Sequence, residues 1–170
     1  DFMAVVYNQR KLDPTDKQLD QITHDLLESD LATRLVVDEA GQPLLTEQDL
    51  AAIAPTVRRL PYTHGERLFR QGDPGDSCYI VASGRLAGEV RSDEGDGVVD
   101  FELGPGSVVG EMSLMLGVPR SAEVTVVESS VLLELGEDAL RALLNLRPEV
   151  PEAFARLAEQ RAEANRAALQ

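Results

Sequence analysis

Apolar positions change their spacing twice along the chain. In residues 15–35, Leu19, Ile22, Leu26 and Leu31 recur near one helical face with acids between them, so the spacing predicts a helix. Asp38 to Pro43 holds Gly and Pro and reads as a linker. Thr46-Glu47-Gln48-Asp49 has the form of a capping box, and Leu50, Ile53, Ala54 and Val57 follow at helical spacing, which predicts a second helix from about 47 to 58. From Leu60 the period shortens. Arg67 to Arg70, Cys78 to Ala82, Gly84 to Val90, Val98 to Leu103, Val124 to Glu128 and Val131 to Leu135 read as short strands between turns rich in Gly, Pro and Asp. Helical spacing returns at Glu137 to Leu146. A last helix carries Pro151 in its first turn, runs to about Ala168, and sets Phe154, Leu157, Arg161 and Asn165 on one stripe. The pattern predicts a mainly β fold, an eight-stranded β-roll or jelly roll with two helices before it and two after.

One segment does not fit the strand pattern. Gly110 to Gly117 is too polar and too flanked by glycine to continue a sheet, and Glu111 to Met115 suits a single helical turn. The start of such a turn is an anion site. Arg120 follows Pro119 and can return toward the same point to pair with a phosphate in two-pronged fashion, with Ser121 adding a hydroxyl. Glu111 is then an acceptor for a sugar hydroxyl beside a donor-rich pocket.

Charge bears on this directly. The chain of 170 residues carries a formal −14, and residues 61–136 alone hold 13 acidic and 5 basic side chains. Such acidity argues against nucleic acid and anionic membrane surfaces as partners. It leaves room for a small anion, because one Arg, one hydroxyl and a row of amides can build a positive pocket inside a negative shell. Within 61–136, Arg120 is the basic side chain expected to matter.

The run Gly-Glu-Met-Ser-Leu at 110–114 followed by Pro-Arg-Ser-Ala at 119–122 resembles the phosphate-binding cassette of cyclic nucleotide-binding domains. Gly-Asp-Pro-Gly-Asp-Ser-Cys-Tyr-Ile-Val at 72–81, Ser-Gly-Arg at 83–85 and Leu-Gly-Pro-Gly at 103–106 resemble the same family's turns in the same order. The resemblance spans roughly residues 45–165 and divides the chain into an N-terminal helical extension (1–44), a nucleotide-binding roll (45–150) and a C-terminal lid helix (151–170), with a hinge before the lid. It implies that the amides of Glu111, Met112 and Ser113, with Arg120 and Ser121, hold a cyclic phosphate. Glu111 takes the ribose 2′-hydroxyl, Gly110 lets the backbone approach, and Ala122 completes the cassette. The base pocket draws on Val81, Val109 and Val118, and Arg161 stands where channel-type members carry a base-contacting Arg. Ser121 in place of Thr favours cyclic AMP over cyclic GMP. Two residues depart from the pattern: Val109 replaces the usual Phe, and Glu123 stands where a small hydroxyl residue is common. Strand alternation turns Glu123 outward.

Other chemistry finds little support. His24 and His64 are isolated and accompany a single cysteine, so no metal-ligand spacing is present. Cys78 lies in an apolar strand pattern and reads as core. Asp93-Glu94-Gly95-Asp96 reads as a solvated hairpin tip rather than a calcium loop. Gly72, Gly75, Gly84, Gly104 and Gly106 read as turn glycines. The expected protein is a cytoplasmic, non-enzymatic regulatory module with no cofactor or metal, taking a cyclic nucleotide and signalling through its last helix. A chain beginning at Asp1 is expected to be a piece of a larger protein. Its final-helix run at 148–161 is similar to channel- or transporter-linked bacterial modules, which implies an upstream membrane effector; a homo-oligomer is left open. No run of the chain is long and apolar enough to cross a bilayer. The alternative is a roll that binds no nucleotide and serves protein association.

Overall fold

The computed structural model describes residues 16–92 and 97–169, with side chains as far as Glu163. The acidic tip at 93–96 lies outside the described residues.

Helix α1 (Asp16–Glu28) buries Ile22 and Leu26. It stops short of the expected 35 because the Ser29 hydroxyl donates to the Leu26 carbonyl at 2.7 Å, competing with the helical ladder. The chain resumes as one π-turn, Leu31–Leu35. The linker is a tight loop in which Asp38 Oδ1 accepts from the Ala40 and Gln42 amides, both at 2.9 Å. Helix α2 (Glu47–Ile53) starts on the anticipated capping box: Thr46 Oγ1 accepts from the Asp49 amide at 3.2 Å and Asp49 Oδ2 from the Thr46 amide at 2.8 Å. It closes in a 3₁₀ turn (Ala54–Thr56) around Pro55, so the α-helix is shorter than the spacing suggested.

Among the described residues six strands follow: β1 (Arg58–Tyr62), β2 (Arg67–Phe69), β3 (Cys78–Arg91), β4 (Val98–Leu103), β5 (Val108–Val109) and β6 (Glu123–Leu135). They form one antiparallel sheet, ordered β1-β6-β3-β4, with β2 also on β6 and β5 also on β3; the sheet is not closed. The expected count of eight is corrected to six for a physical reason. Gly84 and the Ser129-Ser130 pair look like turns in sequence. Both instead lie inside long strands, where β3 and β6 face one another and the register shifts between Val81 and Leu86. Each bulge reads in the sequence as a strand boundary.

Where Cys78 to Val81 of β3 meets β5 and the end of β6, both faces are buried, which explains the continuous apolar runs there. Ile80, Val108 and Leu133 face a cluster built with Leu26, Leu50, Ile53, Val150 and Phe154 of the helical elements. Their neighbours Val81, Val109 and Leu132 face a second cluster with Phe69, Tyr79, Leu86 and Val124 inside the roll. Neighbours along a strand thus serve opposite cores, as the two-residue period requires. A short helix, α3 (Glu111–Leu116), separates β5 from β6; α4 (Glu137–Leu144) and α5 (Glu149–Leu169) end the chain. The helices are tied to one another by Arg147, which donates to the Leu44 carbonyl at 2.9 Å and pairs with the Asp49 carboxylate. Arg156 of α5 donates to the Val37 carbonyl at 2.8 Å.

Candidate functional site

The polar interruption folds as its composition suggested. Gly110 is the N-cap of α3 in the left-handed region, φ 83°, and the helical ladder begins where the Leu114 amide donates to its carbonyl at 3.4 Å. A residue with a Cβ at Gly110 would be strained by that φ and would also press on the Arg120 guanidinium. Beside α3 lies a cavity of about 370 Å³, within the range of small-molecule sites. Val109, Gly110, Glu111, Met112, Ser113, Ser121, Ala122 and Arg161 all line it, so eight of the residues singled out from sequence converge on one space. Val81 and Val118 do not; Val81 is packed in the roll's core. Glu123 is also outside the wall and pairs with Arg67 at 2.9 Å, as alternation indicated.

Arg120 is placed differently from its partners. It is 6% exposed and lies behind the wall rather than in its lining. Its Nη1 donates to the Ser77 carbonyl at 2.5 Å and the Gly110 carbonyl at 3.3 Å, and its Nη2 donates to Ser77 Oγ at 3.0 Å. The guanidinium stacks 4.2 Å from the ring centre of Phe69, itself a wall residue. Nε has no hydrogen-bond partner, and among the described residues no carboxylate pairs with the group. Burying a cation without a counter-charge is costly, and neutral acceptors with one aromatic face offset only part of that cost.

The seat gives a part to residues that read otherwise, or carry no role, in the sequence. Gly75 has an ordinary φ; a Cβ there would collide with the Arg120 Nε. It is required by the arginine and not by a turn. Ser77 passes its own hydroxyl proton toward Tyr79 Oη at 3.4 Å, and Tyr79 Oη donates to Glu134 at 2.9 Å, so the seat is anchored through the roll. Nothing local in the sequence announces Ser77 or Phe69; they reach Arg120 only through strand pairing.

Arg161 of α5 lies 3.0 Å from Glu111 Oε1. The carboxylate is mostly buried, which pushes its pKa above the ordinary glutamate value, and Arg161 pulls it back down. The last helix is thus joined to the cassette by an ion pair, Arg161 meeting a carboxylate where the resemblance implied a base contact. Cys78 is fully buried, its thiol pushed up to about 12 by desolvation, and it takes the core role expected of it.

Comparison with known proteins decides the family. A family model described as the cyclic nucleotide-binding domain matches residues 59–147. The chain belongs to the cyclic nucleotide-binding domain family. The cyclic AMP receptor protein of Thermus thermophilus is 38% identical over 133 residues, covering 71% of this chain and 57% of that protein. A cyclic nucleotide-gated potassium channel of Mesorhizobium japonicum is 32% identical over 125 residues, 72% of this chain and 33% of the channel. The regulatory domain of Toxoplasma gondii PKA, solved with cAMP, superposes with a TM-score of 0.64 at 30% identity, over 85% of this chain and 49% of that one. The domain therefore corresponds to part of each relative's length. Among the described residues no helix is long and apolar enough to cross a membrane, and no group of side chains is arranged to hold a metal.

Proposed function

We propose that this domain is a regulatory module that binds cyclic AMP, catalyses no reaction, and reports binding through α5. The observation that carries this reading is Arg120: a buried guanidinium, seated on neutral acceptors directly behind the cassette, whose charge a bound phosphate would compensate. Ser121 and the amides of Glu111, Met112 and Ser113 complete the phosphate end, with Gly110 giving the close approach. Glu111 accepts from the ribose 2′-hydroxyl. That role competes with its ion pair to Arg161, so ligand and last helix are coupled through one carboxylate. The preference for cyclic AMP rests on Ser121 and on relatives named for that nucleotide. The channel relative supports, as a further proposal, a membrane effector elsewhere in the parent protein and a cytoplasmic site for this domain.

Calorimetric titration of cyclic AMP and cyclic GMP into the purified chain tests the proposal. Saturable heat with both, tighter for cyclic AMP, is expected. No heat and no thermal shift with either nucleotide would leave the association-only roll as the better account.

A further inference from the structure

One wall of the cavity comes from outside the cassette and the roll. Asp30 and Leu35 line it, and both belong to the segment that follows α1. That segment is fixed by its backbone. The Asp30 amide donates to the Gly106 carbonyl at 2.7 Å, and the Leu31 and Ala32 side chains beside it are in the main core. The position of residue 30 is therefore set without its side chain. The Asp30 carboxylate has an ion partner in Arg34, but at 3.8 Å and with an arginine 78% exposed, a separation too long for a hydrogen bond. Its capacity to accept is largely unspent.

The inference rests on the cyclic AMP reading above. With the phosphate at α3 and Ser121 and the ribose at Glu111, the wall left for the base is apolar at Leu35, Phe101 and Leu103 and carries three polar residues, Asp30, Ser107 and Glu102, of which Glu102 sits on the exposed alternation of β4. Apolar surface takes a purine face. An ionised carboxylate accepts hydrogen bonds and donates none, so it selects a base edge that presents a donor. We propose that Asp30 is a specificity-determining residue of this site, accepting a hydrogen bond from the exocyclic amino group of the adenine ring. The segment after α1 is then part of the ligand site, not only a support for it.

Cyclic AMP and the 3′,5′-cyclic monophosphate of unsubstituted purine riboside differ only in that amino group. Titrated calorimetrically into the wild-type chain, the analogue should bind about fivefold or more weakly, a charge-assisted hydrogen bond discounted for partial exposure. In Asp30→Ala, which keeps the backbone bond to Gly106, the two ligands should bind alike. Asp30→Asn, whose amide oxygen still accepts, should restore part of the difference. Equal binding of the two ligands by wild type would overturn the role of Asp30 while leaving the cyclic AMP reading in place. So would an Asp30→Ala variant that keeps the wild-type ratio or weakens both ligands equally. Binding of neither ligand by wild type would overturn both.

Discussion

Two regions of the molecule hold an arginine against the protein, one half-buried and one buried, and they do so in opposite ways. At the seam between α2 and the C-terminal helices, Arg147 meets the Asp49 carboxylate and the Leu44 carbonyl. Asp49 shows the match: burial alone would raise its pKa, but the Thr46 amide and hydroxyl together with Arg147 hold it below the ordinary value. Behind the cassette, Arg120 is buried more deeply and meets carbonyls, a hydroxyl and an aromatic face, with no carboxylate among the described residues. A fold that needs an arginine for its own stability supplies the counter-charge. One that withholds it leaves the charge available to an anion from outside, and under the proposed function this is how a domain of net −14 would take a phosphate.

The difference can be broken by exchanging the two losses. Arg120→Ala should weaken cyclic AMP binding by more than about 2 kcal/mol, the loss of a charge-assisted phosphate contact, read by titration calorimetry. Arg147→Ala should do the reverse. Leaving the partly buried Asp49 without its partner should cost about 1–2 kcal/mol of stability, a fall in Tm of about 3–6 °C by differential scanning calorimetry, with ligand affinity changed by less than roughly twofold. A variant that loses both properties in equal measure would erase the distinction.

The smallest effect lies in the pH dependence of the cassette. The raised Glu111 carboxyl binds its proton more tightly in the folded state than in the unfolded chain. From the ordinary glutamate value up to the raised one, stability should therefore fall as pH rises, its contribution being complete only at lower pH. Arg161→Ala removes the group that opposes the rise and should move the Glu111 titration, followed by carboxyl NMR, further upward. An unmoved titration would show that α5 does not sense the cassette.

Local chemistry was legible in the sequence where one segment made it. The Thr46 capping box, the α3 turn between its glycines and the convergence of Glu111 with Ser121 all follow from residues close together in the chain. Long-range placement was not. Gly84 reads as a turn until β3 and β6 pair across it, and Gly75 reads as a turn until Arg120 arrives from 45 positions later. Ser77 and Phe69 carry no local mark of their part in seating that arginine. Asp30 looks like one more acid on an amphipathic helix, and only the break at Ser29 brings it to the cavity.

In the proposed function, Arg120 is the counter-ion of the ligand's phosphate. A crystal structure of the chain with cyclic AMP tests it most directly. Phosphate oxygens are expected about 2.7–2.9 Å from the Arg120 guanidinium, with Arg161 drawn off Glu111. A phosphate held by Arg161, with Arg120 still confined to Ser77 and Gly110, would contradict it.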